Sequence, residues 1–473
     1  MLFCSLQYLY FFVAIFTLYW LLPWKRPRVY LLLVASFYFY ASWNRWLAAL
    51  ICFSTTIDYF LALGIERASG QPRLKKLLLT VNILGNLGLL CYFKYANFFL
   101  DSLRASLEAM GQTASLPVLS VILPVGISFY TFEAINYMVD VYRGHVRAER
   151  NLANFMLFIL FFPHLVAGPI VRARDFLPQI HRPKHFDWLR MQLGVQYFLM
   201  GLFKKVAIAD RMALFADPIF ADPSAYNTGA IWMAVVAYAL QIYCDFSGYT
   251  DMALGSAHML GYKLAQNFNM PYLARNISEF WRRWHISLSS WLRDYLFIPL
   301  GGSRGGKWLT YRNLLVTMTL GGLWHGASWT FVVWGVLHGG LLIGHKVFSD
   351  ATRDWSRLKD FFATQLGWAV SVLTTFLAVC IGWVFFRAQT FEAAAQVLRG
   401  MVWPQAGLGA PMAPVGLFWT VVVVAFCHYA GWTEAWKRWT VPAPVMGMGY
   451  AFLLTVVLLL APGSNKAFIY FQF

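Results

Sequence analysis

Apolar runs recur along the whole chain of 473 residues and constrain its fold more than any other feature. Charged residues make up only 12% of the chain, whereas soluble domains carry roughly 25%. A membrane-spanning helix needs about 20 mainly apolar residues. The runs cover residues 2–22, 29–51, 77–90, 116–130, 155–170, 191–202, 231–243, 318–343, 368–386, 415–427 and 446–461.

This pattern predicts an all-α, polytopic membrane protein with about a dozen transmembrane and re-entrant helices. No stretch is long and polar enough to form a soluble domain, so we predict one membrane domain over residues 1–473. Its N-terminal spans lie in residues 1–115, a core with re-entrant segments in 116–345, and C-terminal spans in 346–473. The first apolar run lacks a basic leader and a small-residue cleavage site, which argues against a cleavable signal peptide.

The net charge of +17 comes from basic residues that cluster between the apolar runs. We therefore attribute it to loops rather than to nucleic-acid binding. The first cluster contains Lys25, Arg26 and Arg28. The positive-inside rule places this loop in the cytoplasm and hence the N-terminus outside.

One titratable group lies in the middle of the apolar segment VTMTLGGLWHGASWTFVVWG, residues 316–335. A lone imidazole at membrane depth is costly, so His325 is a candidate functional residue. The neighbouring glycines Gly321, Gly322 and Gly326 leave room for a backbone or a ligand to approach. The alternative, a satisfied core histidine, carries equal weight on this evidence alone.

Prolines, glycines and carboxylates interrupt three apolar stretches, residues 123–133, 161–175 and 243–255. Because irregular backbone at membrane depth is tolerated where it lines protein or a wet cavity, these breaks suggest a chamber. The alternative is ordinary proline kinks. The associated carboxylates are better explained as buried ion pairs, with partners such as Arg143 or Arg172, than as catalysts; they are Glu133, Asp140, Asp245 and Asp251.

A second cluster of chemical groups lies in residues 279–306, which are basic and rich in tryptophan. Helical spacing predicts that Trp281, Trp284, His285 and Trp291 share one face, with arginines beside them. Two interpretations are open at this point. The segment is either an interfacial helix on anionic lipid or a site for a phosphate-bearing ligand.

The chain resembles the membrane-bound O-acyltransferases, and among them the bacterial branch that includes the alginate O-acetylation membrane subunit. The resemblance covers most of residues 85–345 and the extreme C-terminus. It is carried by LPVGISFYTFEAINYMVDVYRG, FFPHLVAGPIVR, QIYCDFSGYTDMALG, FWRRWHISLSSWLRDYLFIPLGGSRGG, YRNLLVTMTLGGLWHGASWTFVVWGVLHG and FIYFQF.

The resemblance implies a membrane enzyme with a central tunnel that is open to both faces. The acyl donor, with acetyl-CoA expected, would enter from the cytoplasm, and no cofactor would be bound permanently. The membrane histidine of the family matches His325, and the second histidine of the bacterial branch matches His285. Family members typically work with a partner, here expected to be a periplasmic esterase-like acetyltransferase, and location in the bacterial inner membrane is implied.

The reaction expected is acetyl transfer to an extracytoplasmic acceptor for O-acetylation of an alginate-like exopolysaccharide. It needs a base for the hydroxyl proton and stabilisation of a tetrahedral oxyanion. A buried neutral imidazole suits the first role because burial disfavours its charged form, so we expect His325 to be the general base. His285 would orient the donor or acceptor or stabilise the oxyanion. Groups expected to bind the donor are Arg282, Arg283, Trp284, Arg293 and Arg304, and supporting groups are His338, Asp245 and Asp251.

Other acceptor polymers and other classes of function are compatible with parts of this sequence. The acceptor polymer could instead be cellulose or peptidoglycan. A transporter or flippase of polysaccharide precursors would share the length, embedded charges and broken helices, but no internal inverted repeat is visible. A scaffold that only positions a partner is a weaker alternative. No paired-cysteine or H-x-x-x-H pattern predicts a metal site.

Overall fold

A computed structural model describes residues 1–112, 115–166, 168–434, 441–460 and 468–469. Within these ranges the chain is helical and contains no β-strand, only an isolated bridge between Tyr226 and Leu408. This confirms the all-α prediction. Of the terminal motif FIYFQF, residues 470–473 lie outside the described part of the chain, as does Ala461 at the end of the last apolar run.

Seven segments of the described chain are long and apolar enough to cross a membrane, which confirms a polytopic protein. Several of the predicted runs are instead built from shorter helices, as expected for re-entrant segments. The central tunnel stays a prediction. The seven candidate spans are Arg45–Gly70, Pro72–Ala109, Thr228–Met259, Trp329–Ala351, Gln365–Arg387, Pro414–Thr433 and Ala443–Leu460.

The chain forms two compact units, and the first comprises Met1–Phe198 and Thr250–Ala265. Nine helices of the described chain lie wholly within it: α1 Leu6–Leu21, α2 Lys25–Ala41, α3 Arg45–Arg67, α4 Pro72–Leu90, α5 Ala96–Ala109, α6 Ile127–Arg143, α7 Leu152–Leu160, α8 Phe162–Leu165 and α9 Ala173–His181. Helix α10, Trp188–Leu202, begins in this unit.

The second unit comprises Leu199–Tyr249 and Gln266–Phe473. Helix α12, Thr228–Met259, contributes residues to both units. The other helices described in the second unit are α11 Asp210–Ala221, α13 Ile277–Arg283, α14 Ile286–Leu292, α15 Lys307–His325, α16 Trp329–Ala351, α17 Ser356–Ala363, α18 Gln365–Arg387, α19 Phe391–Val402, α20 Pro414–Thr433 and α21 Ala443–Leu460.

Two of the three predicted breaks are confirmed, and both lie in the first unit. Gly126 has a left-handed backbone (φ 77°) immediately before α6, and a Cβ there would lie 2.6 Å from the Leu165 carbonyl oxygen. The second stretch contains the short α8 and the beginning of α9, and residues 168–172 between them are not helical. Buried Glu133 faces His164 at 3.3 Å rather than an arginine, and it also accepts a hydrogen bond from the Val171 amide at 2.8 Å. The two broken stretches therefore pack against each other.

The third predicted break is wrong, because residues 243–255 lie within the uninterrupted helix α12. Its glycines serve close helix packing instead of interrupting the helix. A Cβ on Gly248 would lie 2.7 Å from the Gly201 carbonyl oxygen, and one on Gly255 would lie 2.5 Å from the Gly194 carbonyl oxygen. Small residues at such crossings let two helix backbones approach closely in membranes.

Helices α15 and α16 form a tight hairpin in the second unit. The turn is short because Ser328 caps α16, its hydroxyl accepting a hydrogen bond from the Thr330 amide at 3.3 Å. A Cβ on Gly322 would collide with the Phe331 carbonyl oxygen, and one on Gly335 would collide with the Met318 carbonyl oxygen. The space predicted around Gly322 is thus taken up by the facing backbone.

We predict that Gly335→Ala destabilises the protein, because the added methyl group has to push the α15 backbone away. Overpacking of this kind costs about 1–3 kcal/mol. The matched control is Gly340→Ala on the same helix, where a Cβ meets no atom of the described residues within 4 Å. Thermal unfolding in detergent measures both variants. An unchanged melting temperature for Gly335→Ala would contradict the close backbone contact.

Candidate active site

His325 is the last residue of α15 and is buried, with 4% of its surface exposed. Aromatic rings from three helices surround its imidazole. The ring centroids of Trp324 and Trp334 each lie 5.0 Å away, and that of Phe386 on α18 lies 5.3 Å away. The α15–α16 hairpin and α18 therefore hold the imidazole in an apolar shell.

His285 lies at a sharp junction between α13 and α14. Its backbone is left-handed (φ 42°), so residues 281–291 do not form the single helical face that the spacing predicted. The backbone instead bonds to an earlier loop. The Ile286 amide donates to the Asn267 carbonyl oxygen and the Asn269 amide donates to the Arg283 carbonyl oxygen, both at 2.9 Å. These bonds hold a conformation that is costly for a residue with a Cβ.

The side chain of Asn267 determines which nitrogen of His285 carries the proton. Its Oδ1 accepts hydrogen bonds from the Ser287 amide at 3.1 Å and from the Ser287 hydroxyl at 2.7 Å. Since an amide N–H only donates, the atom that it contacts is the oxygen. His285 Nδ1 lies 3.4 Å from the same oxygen and therefore donates to it. The lone pair of the neutral ring is then on Nε2.

The two histidines predicted to be catalytic lie together in the second unit. Their ring centroids are 6.3 Å apart, and Trp324 contacts both rings. Phe246 of α12 packs edge-on against His285 at 4.7 Å. His285 has no exposed surface, and this burial lowers the pKa of its imidazole to about 3. At neutral pH His285 is therefore uncharged.

His338 is fully buried, and the Trp334 ring lies between it and His325. Its nearest aromatic neighbour is Trp334 at 4.6 Å, and Trp334 in turn contacts His325. Trp281 also contacts His338, at 5.3 Å, and lies 5.7 Å from Trp334. His338 and His325 thus both contact the Trp334 indole, and a supporting role for His338 stays a prediction.

Asp245 lies on α12 beside Phe246 and belongs to a buried ionic network. Lys205 Nζ lies 2.6 Å from Asp245 Oδ1 and donates to Asp210 at 2.8 Å. The Ile469 amide donates to the other Asp245 oxygen at 2.7 Å. Asp245 therefore pairs with a lysine, in place of the arginines that the sequence suggested. Asp251, the other carboxylate predicted as a supporting group, belongs to the first unit.

The residues predicted to bind the donor differ in their surroundings. Arg282, Arg293 and Arg304 are exposed, whereas Trp284 is buried among aromatic rings. Arg283 donates to Glu279 at 2.8 Å. Partial burial opposes ionisation of Glu279, but the Arg275 amide and the Arg283 guanidinium outweigh it and hold the pKa of Glu279 below its usual value. The charge of Arg283 is thus already balanced.

Sequence reasoning missed two residues that shape this region. Asn267 lies 18 positions before His285, and nothing in the sequence connects the two. Lys205 could have been found, because it is a lysine in the apolar stretch FKKVAIAD that ends in Asp210. A charged group in such a stretch requires a nearby partner of opposite charge. Among the described residues, no cluster of three histidine, cysteine or carboxylate side chains could hold a metal ion.

Comparisons with known proteins agree with this architecture. The model of the membrane-bound O-acyltransferase family matches residues 143–386. A probable alginate O-acetylase of Pseudomonas syringae is 44% identical over 402 residues, which cover 85% of this chain and 75% of the relative. The probable alginate O-acetylase of Azotobacter vinelandii is 45% identical, covering 85% and 78%.

The name of a third relative gives a different polymer as its substrate. The peptidoglycan O-acetyltransferase of Helicobacter pylori is 40% identical, covering 80% of this chain and 74% of the relative. The matched region contains both His285 and His325, and the similarity extends well beyond that region. The chain belongs to the membrane-bound O-acyltransferase family.

Proposed function

We propose that this protein transfers an acetyl group from a cytoplasmic thioester, acetyl-CoA, to an extracytoplasmic acceptor for O-acetylation of an alginate-like exopolysaccharide. The observation that carries the proposal is the pair of buried imidazoles 6.3 Å apart within one aromatic shell. The names of the relatives support the reaction and the substrate class. Peptidoglycan is the alternative acceptor polymer, favoured by the 40% identical relative.

His325 is proposed as the general base. Its neutral imidazole takes the proton from the acceptor hydroxyl while the oxygen attacks the thioester carbonyl carbon. A carbon–oxygen bond forms, and the tetrahedral intermediate then expels the thiolate, which takes the proton back from the imidazolium. The surrounding rings of Trp324, Trp334 and Phe386 limit water at this position. Exclusion of water protects the thioester from hydrolysis.

His285 is proposed to orient a reactant rather than to stabilise the oxyanion. With its proton on Nδ1 and directed to Asn267, the neutral ring offers only a lone pair at Nε2. A lone pair accepts a hydrogen bond from a hydroxyl or an amide N–H and gives nothing to an oxyanion. Asn267 is therefore a positioning residue, which acts through His285.

The cellular setting belongs to the same proposal. The first basic cluster, with Lys25 and Arg28 in the first turn of α2, faces the cytoplasm by the positive-inside rule, which puts the N-terminus in the periplasm of a bacterial inner membrane. The exposed arginines Arg282 and Arg304 would attract the phosphates of the donor. Arg293 is also exposed, but it is already paired with Asp294 at 2.7 Å. A periplasmic esterase-like acetyltransferase would pass the acetyl group to the polymer.

We predict that His325→Ala abolishes acetyl transfer by purified protein supplied with radiolabelled acetyl-CoA. Loss of a general base lowers the rate about 100- to 10,000-fold. The matched control is His345→Ala, which removes a half-buried histidine elsewhere on α16 and should retain the wild-type rate. A transporter or a scaffold has no need of this base. Unchanged acetyl release by the His325→Ala protein would therefore contradict the assignment.

We also predict that Asn267→Asp makes activity sensitive to mild acid. A carboxylate beside Nδ1 favours the imidazolium form and raises the pKa of His285 from its low value. The variant should therefore lose activity as the pH falls from about 7 to 5, because protonation removes the Nε2 lone pair. In the wild-type protein His285 should stay uncharged between pH 7 and 5, because burial lowers the pKa of its imidazole to about 3, so its protonation should not change the rate in this range.

The control for this pH profile is Asn276→Asp, at the N-cap of α13, where aspartate caps as well as asparagine. It makes the same chemical change in the same unit without touching His285. A purely structural role for Asn267 predicts a uniform loss of activity at every pH. That result, or identical profiles for the two variants, would rule out the proposed positioning role.

A further inference from the structure

A basic cavity of about 320 Å³ lies in the first unit, and neither His285 nor His325 is among its lining residues. None of the described residues that line it has a carboxylate side chain. The concentrated positive charge is therefore not balanced by any acidic residue of the lining. The basic residues that line the cavity are Lys25, Arg28, Arg182, Lys184 and His185.

Backbone carbonyl groups hold two of these cations in place. Lys25 Nζ donates to the His181 carbonyl oxygen at 2.8 Å. Arg28 donates to the Leu22 carbonyl oxygen at 2.6 Å and to the Lys184 carbonyl oxygen at 2.7 Å. A carbonyl group satisfies the donors without neutralising the charge. The cations are thus fixed in position, as a preformed anion site requires.

Aromatic rings complete the walls of the cavity. The Arg28 guanidinium lies over Tyr19 at 5.1 Å and over Trp20 at 5.0 Å, measured to the ring centroids. Lys184 Nζ lies 4.3 Å from the ring centroid of Tyr262. These cation–π contacts further restrict the basic side chains.

The surroundings of Lys184 disfavour its positive charge. Burial first, and then the nearby charges of Arg190 and Arg182, lower the pKa of Lys184 to about 8. A bound anion would oppose this repulsion and raise the pKa of Lys184 towards its usual value. The loop that carries Lys184 lies outside the candidate membrane spans.

We propose that this cavity binds a phosphate group. Lysine and arginine are the usual partners of phosphate, and the cavity is large enough for one. Two sources share this chemistry, the headgroup of an anionic phospholipid and a soluble phosphate compound. Exposed aromatic residues beside the cavity, Trp24, Phe186 and Trp188, favour the lipid, because such side chains anchor at the membrane interface. The cytoplasmic position predicted for Lys25 agrees with the anionic lipids of that leaflet.

The test uses the full chain purified in non-ionic detergent. Phosphatidylglycerol is titrated in one series and inorganic pyrophosphate in another, and the shift in melting temperature gives each apparent affinity. Lys184→Gln should weaken binding of the effective ligand about tenfold, as loss of one charge-assisted hydrogen bond predicts. A response to phosphatidylglycerol alone identifies the lipid as the source, and a response to pyrophosphate alone identifies a soluble compound.

The matched control is Lys263→Gln, which removes one positive charge from an exposed position of the same unit outside the cavity lining. It should leave the affinity unchanged. Equal weakening by both substitutions would mean that the ligand senses only the net charge of the surface, and would overturn the proposal. So would the absence of a thermal shift with either ligand in the wild-type protein.

Discussion

The backbone contact between α15 and α16 is the constraint on which the candidate active site depends. There is no room for a Cβ at Gly322 or Gly335, so the two helices pack with their main chains in direct contact. His325 ends the first helix of this hairpin, and Trp334 is carried by the second. The contact therefore fixes the imidazole against its aromatic wall. A wider crossing would separate the histidine from Trp334 and open the shell to water.

His285 reaches the same shell by a different device. Hydrogen bonds from the 267–269 loop stabilise a left-handed residue between two short helices, and the Asn267 side chain directs the ring proton. Helical hydrogen bonds are lost at this junction, and bonds to the 267–269 loop fix the orientation of the His285 ring instead. Strained backbone of this kind is tolerated when the surrounding structure over-determines it, as it does at many functional sites.

The sequence was most informative where the signal is local. The length of the apolar runs predicted the spans, and a lone histidine within one of these runs identified His325 as a candidate functional residue. It failed where a contact distant in sequence decided the geometry. Helical spacing wrongly joined Trp281 to Trp291, because the competing bonds come from Asn267 and Asn269. Gly248 was also predicted to interrupt a helix. It lies instead within the continuous helix α12, where it permits close packing against Gly201.

His285 and His325 are proposed to act on the same bound reactant, one as the group that orients it and the other as the base. The decisive measurement is a double-mutant cycle on the rate of acetyl transfer, with each histidine replaced by alanine singly and together. Groups that act as a unit give strongly non-additive losses. If the two histidines act on one reactant, the double variant is about as slow as the slower single variant. Losses that multiply would show two independent roles and would rule out joint action.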